Sequence, residues 1–139
     1  DVEWYLEWYT DTGATGVTAT ASYTNQDNVS GRTTQAISLP ATRRASMCYA
    51  FLPQAGDMAI RSIQTVTLSA TTGTAGNFGV TARKRIGSVG VATNNFSERE
   101  DGISLGFPST RDTAWLEFLV HPTGTTTGDV HGQYQMISG

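Results

Sequence analysis

Apolar and polar residues alternate with a period of two in the first part of the chain. Residues 2–9 divide into an apolar set and an aromatic or acidic set: Val2, Trp4, Leu6 and Trp8 against Glu3, Tyr5, Glu7 and Tyr9. Because successive side chains of a β-strand point to opposite faces, this pattern predicts a strand with one apolar face. The same alternation predicts a second strand over residues 17–24, with these positions on its apolar face: Val17, Ala19, Ala21 and Tyr23.

Further strands are predicted over residues 32–39, 45–52, 60–70, 78–86, 114–121 and 129–137. Residues 45–52 are almost continuously apolar, which indicates a buried strand. The alternation over residues 60–70 is uneven and predicts a β-bulge or a strand that changes sheets. Residues 87–107 are the least regular part of the chain, and we predict a long loop with short strands there.

These segments predict an all-β fold. They amount to about eight or nine short antiparallel strands without a helix, which is typical of a β-sandwich or jelly roll. The chain has 139 residues, a length that suits one domain. We therefore predict a single β domain over residues 1–139, in which residues 1–10 form a terminal strand or arm that is available for a subunit contact.

Charge and cysteine content exclude several classes of function. Nine Lys and Arg residues stand against twelve Asp and Glu residues, giving a net charge of −3. Phosphate binding needs many basic residues on one face, so we predict no nucleic-acid partner. The chain has no apolar run of about 18 residues, so we predict no membrane span. The single cysteine, Cys48, rules out an intrachain disulfide framework.

Asp11-Thr12-Gly13 matches the short core motif of aspartic proteases. In those enzymes two such aspartates share a proton, and a chain of this length would have to dimerise to supply both. However, Tyr9 and Thr10 stand where the protease needs a buried apolar strand. A turn between two strands uses Asp and Gly in any case. We interpret the motif as a turn and keep a dimeric aspartic protease as a remote alternative.

Other candidate catalytic or metal-binding residues are weak. Cys48 lies in the most apolar segment and is expected to be a buried small hydrophobic residue. His121 and His131 do not have the spacing of a zinc site. The sequence therefore predicts no catalytic residue, no cofactor site and no metal site, and the protein is not expected to be an enzyme.

The aromatic residues of the first segment are the strongest candidates for a functional site: Trp4, Tyr5, Trp8 and Tyr9. One interpretation places two of them in the core and the other two in cross-strand pairs. A second makes the segment a contact strand that pairs with a neighbouring subunit by β-augmentation, since Trp and Tyr are common interface anchors. A third is a platform on which sugars stack. We take these four residues as candidate interface residues.

Three segments resemble small structural proteins encoded among the virion genes of tailed bacteriophages. They are residues 4–13 (WYLEWYTDTG), 41–45 (ATRRA) and 62–81 (SIQTVTLSATTGTAGNFGVT), and the resemblance covers roughly the first two-thirds of the chain. Several proteins of this kind are capsid decoration, or cement, proteins, which are β-rich, often trimeric and attached to the outer shell. Others belong to necks, tails or fibres. The resemblance implies no catalytic residues.

The expected function is therefore that of a non-enzymatic structural protein located in the virion. The first interpretation is a capsid decoration protein that forms a homo-oligomer, with a trimer expected. Its further partners are then the major capsid protein or other virion proteins, and it stabilises the shell by bridging neighbouring capsid subunits. The alternatives are a tail, neck or fibre component and a sugar-binding β-sandwich module.

Overall fold

The computed structural model describes residues 2–73 and 76–88, together with Glu117. These residues contain no helix and form seven strands: β1 (Glu3–Trp8), β2 (Val17–Asn25), β3 (Arg32–Thr33), β4 (Ile37–Leu39), β5 (Cys48–Ala50), β6 (Ile60–Leu68) and β7 (Phe78–Arg83). The predicted all-β class is confirmed. The predicted strands over 129–137 and, apart from the exposed Glu117, over 114–121 lie outside the described residues, as does most of the predicted loop over 87–107.

The chain divides into two compact units, Asp1–Phe107 and Pro108–Gly139. All seven strands belong to the first unit. A single domain over residues 1–139 stays a prediction. Within the described residues, there is no helix long and apolar enough to cross a membrane.

The first sheet has three antiparallel strands in the order β5-β1-β7. β1 pairs with β7 along its whole length, from Glu3 opposite Arg83 to Trp8 opposite Phe78. Its other edge pairs with β5, and this edge is extended by a hydrogen bond from the Phe51 N–H to the Trp4 carbonyl. Both edges of β1 are therefore occupied within the chain. This corrects the expectation of β-augmentation through β1, because the strand has no open edge to offer a neighbour.

The second sheet is built around β2, which pairs with β6 on one side and with β3 and β4 on the other. Burial alternates along β2 as predicted, with Val17, Ala19, Ala21 and Tyr23 on the buried face. The register between β2 and β6 shifts twice, so the bulge predicted from the uneven alternation is confirmed.

Two predicted strands differ from the structure. Residues 32–39 form two short strands, because Thr34 leaves the ladder and bonds Ala21 through both its main-chain N–H and its hydroxyl. Residues 45–52 contain only the three-residue β5, which is half-exposed and not buried. The strand begins late because Ser46 has a left-handed backbone (φ 68°), which ends extended structure before it.

The two sheets pack face to face and enclose one hydrophobic core. Leu6 and Trp8 come from the first sheet, and the alternating residues of β2 come from the second. Trp8 packs edge to face on Phe78, with ring centroids 5.6 Å apart and an interplanar angle of 77°. This packing of two small antiparallel sheets is a β-sandwich arrangement.

Candidate functional site

The four aromatic candidate residues of β1 and its end have different environments. Trp8 is 1% exposed and lies in the core. Trp4 is half-buried against the core, and its indole N–H donates to the Ile60 carbonyl at 3.0 Å. Tyr5 is buried on the opposite face, at 8% exposure, whereas Tyr9 is 53% exposed. Tyr9 is therefore the candidate whose ring is most available to a partner.

Tyr5 belongs to a polar network on the outer face of the first sheet. Its hydroxyl donates to the Glu3 carboxylate at 2.6 Å, and the Arg83 guanidinium lies 5.3 Å from its ring centroid. Burial, followed by the bond to Glu3, raises the pKa of Tyr5 to about 12. Arg83 in turn pairs with Glu7 at 3.2 Å. The Tyr5 side chain is therefore held by contacts within its own chain, as the cross-strand interpretation expects.

Cys48 lies beside the same network and is half-exposed. An Arg83 Nη atom is 3.0 Å from its sulfur and donates to it. The expectation of a buried Cys48 is therefore wrong. The cause is its place on β5, which is an edge strand of the described sheet, with its side chain on the outer face opposite Glu7.

Tyr9 lies at the end of β1 with one side of its ring covered. Its N–H donates to the Asn77 carbonyl at 2.7 Å. The ring lies directly over Gly79 of β7, where a Cβ atom would collide with it. An aromatic ring over a strand glycine is a common cross-strand arrangement. The position of the ring is thus fixed by the chain, and about half of the side chain remains open to solvent.

A loop over residues 42–46, here called the arginine loop, is fastened to residues 8–13 by hydrogen bonds. Five hydrogen bonds hold it: Thr42 N–H to Gly13 O, Thr12 N–H to Arg43 O, Arg43 N–H to Thr12 Oγ1, Ala45 N–H to Asp11 Oδ1, and Ser46 N–H to Trp8 O, all between 2.7 and 2.9 Å. Such a density of bonds makes the loop a rigid part of the fold.

The Asp11-Thr12-Gly13 motif acts here as the support of the arginine loop. Thr12 is buried, and it both donates to and accepts from the main chain of Arg43. The Asp11 carboxylate accepts from Ala45 and lies 3.9 Å from the exposed Arg44. The Asp11 carboxylate and the Thr12 hydroxyl thus both have structural partners, as the turn interpretation predicts.

Backbone strain marks both ends of the arginine loop. Thr42 and Ser46 have φ angles of 53° and 68°, in the left-handed region that favours glycine. The conformation is especially unfavourable for Thr42, because its side chain is β-branched. Strain of this kind costs about 1–3 kcal/mol per residue and persists only where surrounding contacts fix the backbone. Holding the loop in this shape therefore lowers the stability of the fold.

Replacing Thr42 with glycine is expected to stabilise the protein by about 0.5–1 kcal/mol, since the relief of strain exceeds the entropy cost of glycine. Thr42→Ala is the matched control, because it removes the hydroxyl and keeps the Cβ atom. Urea denaturation of both variants measures the difference. A glycine variant less stable than the alanine variant would contradict the strain at this position.

The two arginines of the loop differ in their surroundings. Arg44 is 86% exposed, whereas Arg43 is half-buried and its Nε atom is buried without a hydrogen-bond partner. Arg43 lies close to Tyr49: burial raises the pKa of the Tyr49 phenol, and the positive charge of Arg43 acts in the opposite direction. Tyr49 lies opposite Leu6 and packs against the core, so its ring is on the inner side of the first sheet.

A second polar cluster, centred on Asp57, lies on the turns next to the far end of β2 and was not found by sequence reasoning. Its Oδ2 atom accepts from the Tyr23 hydroxyl at 2.5 Å and from Arg32 Nε at 2.9 Å. Its Oδ1 atom accepts from Asn25 Nδ2 at 2.9 Å and from Arg32 Nη2 at 3.0 Å. The Arg32 bonds, followed by those from Tyr23 and Asn25, hold the pKa of the Asp57 carboxyl well below its usual range. All its oxygens serve internal contacts, so the cluster is structural.

The described residues contain no group of three or more His, Cys, Asp or Glu residues that could hold a metal ion. His121 and His131 lie outside the described residues. The chain matches no protein family model, no curated protein and no solved structure. The candidate site is the end of β1, which includes the exposed Tyr9 and the arginine loop bonded to residues 8–13; the exposed Met47 follows this loop.

Proposed function

We propose that this chain is a non-enzymatic structural protein of a tailed-bacteriophage virion, of the capsid decoration type. It forms a homo-oligomer, with three subunits expected, and binds across neighbouring copies of the major capsid protein. The observation that carries the proposal is that the three segments that resemble virion proteins are joined by hydrogen bonds in the fold. Ser46, next to residues 41–45, donates to Trp8 of residues 4–13, and Tyr9 of that segment donates to Asn77 of residues 62–81.

The chemistry of the candidate site supports a contact role. Tyr9 and Met47 expose apolar area there, and the two arginines add positive charge. Tyr and Arg are the residue types that most often anchor protein interfaces. Because the arginine loop is fastened by main-chain bonds, a partner meets a surface that loses little conformational entropy on binding.

The mechanism that we propose is mechanical. A decoration protein adds contact area between capsid subunits, so that the pressure of packaged DNA must break more interface before the shell opens. Binding that occurs only to the assembled shell stabilises it by mass action. A small, rigid β-sandwich suits this task, since it transmits force without rearranging.

Replacing Tyr9 with serine is expected to weaken self-association and particle binding by roughly tenfold or more, while changing the free energy of unfolding little. Leu52→Ser is the matched control, because Leu52 is equally exposed at 55% but follows β5 at the opposite end of β1. Analytical ultracentrifugation gives the oligomer affinity, and co-sedimentation with undecorated capsids gives particle binding. The control is expected to behave like the wild type in both.

Two results would contradict this proposal. One is a monomer at high concentration together with isolated copies of the chain on the particle. The other is equal loss of binding in Tyr9→Ser and Leu52→Ser, which would place the contact elsewhere. Antibody labelling of particles in the electron microscope separates the shell from the tail, neck and fibre positions, which are the alternatives within the virion.

One observation favours a sugar-binding function as a second candidate. An open groove is lined by hydroxyl, amide and small apolar groups: Thr10, Leu68, Ala70, Thr71, Thr72, Gly73, Gly76 and Asn77. Hydroxyl and amide groups bind sugars through hydrogen bonds, and Tyr9, the residue before Thr10, has an exposed ring on which a sugar can stack. A glycan array probed with the purified chain tests this candidate, and binding lost in Tyr9→Ser would favour it.

A further inference from the structure

We infer that Arg43 is an anchor for a carboxylate side chain of a partner protein, which pairs with the Arg43 guanidinium. The inference deepens the proposed function, since it names the chemistry that the surface at the end of β1 recognises. It rests on three observations: Arg43 is half-buried, it lacks the ion pair that the other half-buried arginines have, and the loop that carries it is rigid.

Arg43 differs from the other half-buried arginines of the described residues. Three arginines are half-buried there, namely Arg32, Arg43 and Arg83. Arg32 is paired with Asp57 at 2.9 Å and Arg83 with Glu7 at 3.2 Å. Arg43 has no ion pair among the described residues, whereas a buried Nε atom without a hydrogen-bond partner is found in both Arg43 and Arg83. A half-buried guanidinium without a carboxylate has lost hydration and gained no ion pair, so Arg43 is the one of these three arginines whose charge a partner can pair.

The position of Arg43 is fixed before any partner arrives. Thr12 holds its main chain from both sides, with bonds of 2.8 and 2.7 Å. The left-handed residues Thr42 and Ser46 turn the chain on either side of it. Strain that is maintained by surrounding contacts is a feature of pre-organised binding sites. A guanidinium held in this way loses less entropy on binding than one on a mobile loop.

The chemistry of the Arg43 side chain favours a carboxylate. The guanidinium presents a planar row of donors that matches a carboxylate in two parallel hydrogen bonds. Met47, the first residue after the arginine loop, exposes apolar area, which suits the rim of a protein contact.

The test measures binding of a fluorescently labelled hexa-aspartate peptide to the full chain by fluorescence polarisation. Arg43→Gln is expected to weaken binding by roughly tenfold, and Arg43→Lys by several-fold, because lysine keeps the charge and loses the paired hydrogen bonds. Arg44→Gln is the matched control, with the same charge change at the adjacent exposed position, and is expected to weaken binding by about twofold or less. Thermal unfolding confirms that the variants are folded.

Equal weakening by Arg43→Gln and Arg44→Gln would overturn the inference, because it would mean general charge attraction. Absence of peptide binding to the wild-type chain would overturn it as well. The peptide assay contains no particle, so its failure is separable from failure of the proposed function. A third result is peptide binding that depends on Arg43 together with unchanged oligomer and particle binding in Arg43→Gln. It would mean that Arg43 binds a carboxylate but takes no part in assembly.

Discussion

Truncation of Trp8 to alanine is expected to cost about 4 kcal/mol of folding free energy, a large share of the total stability of a small domain. Trp8 is 1% exposed, joins the two sheets in the core and packs edge to face on Phe78. Its removal leaves a cavity that neighbouring strands cannot close without breaking their ladders. Urea denaturation followed by circular dichroism measures the loss.

The matched comparison is Tyr9→Ala, one residue further along the chain, which is expected to cost under about 1 kcal/mol because half of the ring is already in water. Trp8→Phe isolates the source of the Trp8 effect. The Trp8 indole N–H has no hydrogen-bond partner, so phenylalanine loses volume but no bond. It is expected to retain most of the stability. A loss in Trp8→Ala no larger than that in Tyr9→Ala would contradict the assignment of Trp8 to the core.

The second large effect is expected from Asp57→Asn, which should lower the melting temperature by roughly 10 °C. The substitution leaves the half-buried Arg32 without its carboxylate and turns an amide donor toward Arg32 or Asn25, which are donors themselves. Asp27→Asn is the control, since Asp27 is an exposed aspartate in the neighbouring turn. Differential scanning calorimetry of the three proteins compares them directly.

The same carboxylate predicts an acid dependence of stability. The folded-state pKa of Asp57 is held below its unfolded value of about 3.9, so the unfolded chain binds a proton more readily than the folded chain. The stabilisation is complete above about pH 4 and is lost as the pH falls below that value. The melting temperature of Asp57→Asn should therefore fall less steeply with acid than that of the wild type. Parallel curves for the two proteins would exclude Asp57 as the source.

Periodicity predicted the strands whose faces differ in polarity. The alternation in β1 and β2 places Leu6, Trp8 and Tyr23 in the core as expected, because one face of each sheet is buried against the other. The prediction of a buried strand over residues 45–52 was wrong. This apolar run contains both an exposed bend at Ser46 and the buried Phe51. Apolar composition alone does not distinguish those two positions.

The candidate site was only partly predictable. The surplus of aromatic residues indicated the first strand, yet the period-two pattern could not show that Tyr5 finds Arg83 and Glu3 within its own chain. The fixed shape of the arginine loop was not predicted because its support comes from Asp11, Thr12 and Gly13, about 30 residues away in sequence. The Asp57 cluster likewise joins Tyr23, Asn25 and Arg32 to a distant turn. Contacts between residues so far apart in sequence leave no pattern in the local sequence that would predict them.

The central place of β1 in its sheet has a consequence for synthesis on the ribosome. Its first cross-strand neighbour on β5 to be synthesised is Cys48, opposite Glu7, and its pairing with β7 ends only at Arg83 opposite Glu3. The most aromatic segment of the chain therefore leaves the exit tunnel long before its two partners exist. Closure over such sequence distances slows folding and leaves apolar surface exposed in the nascent chain. We expect this segment to need shielding by a chaperone during translation, most of all when many copies are made at once.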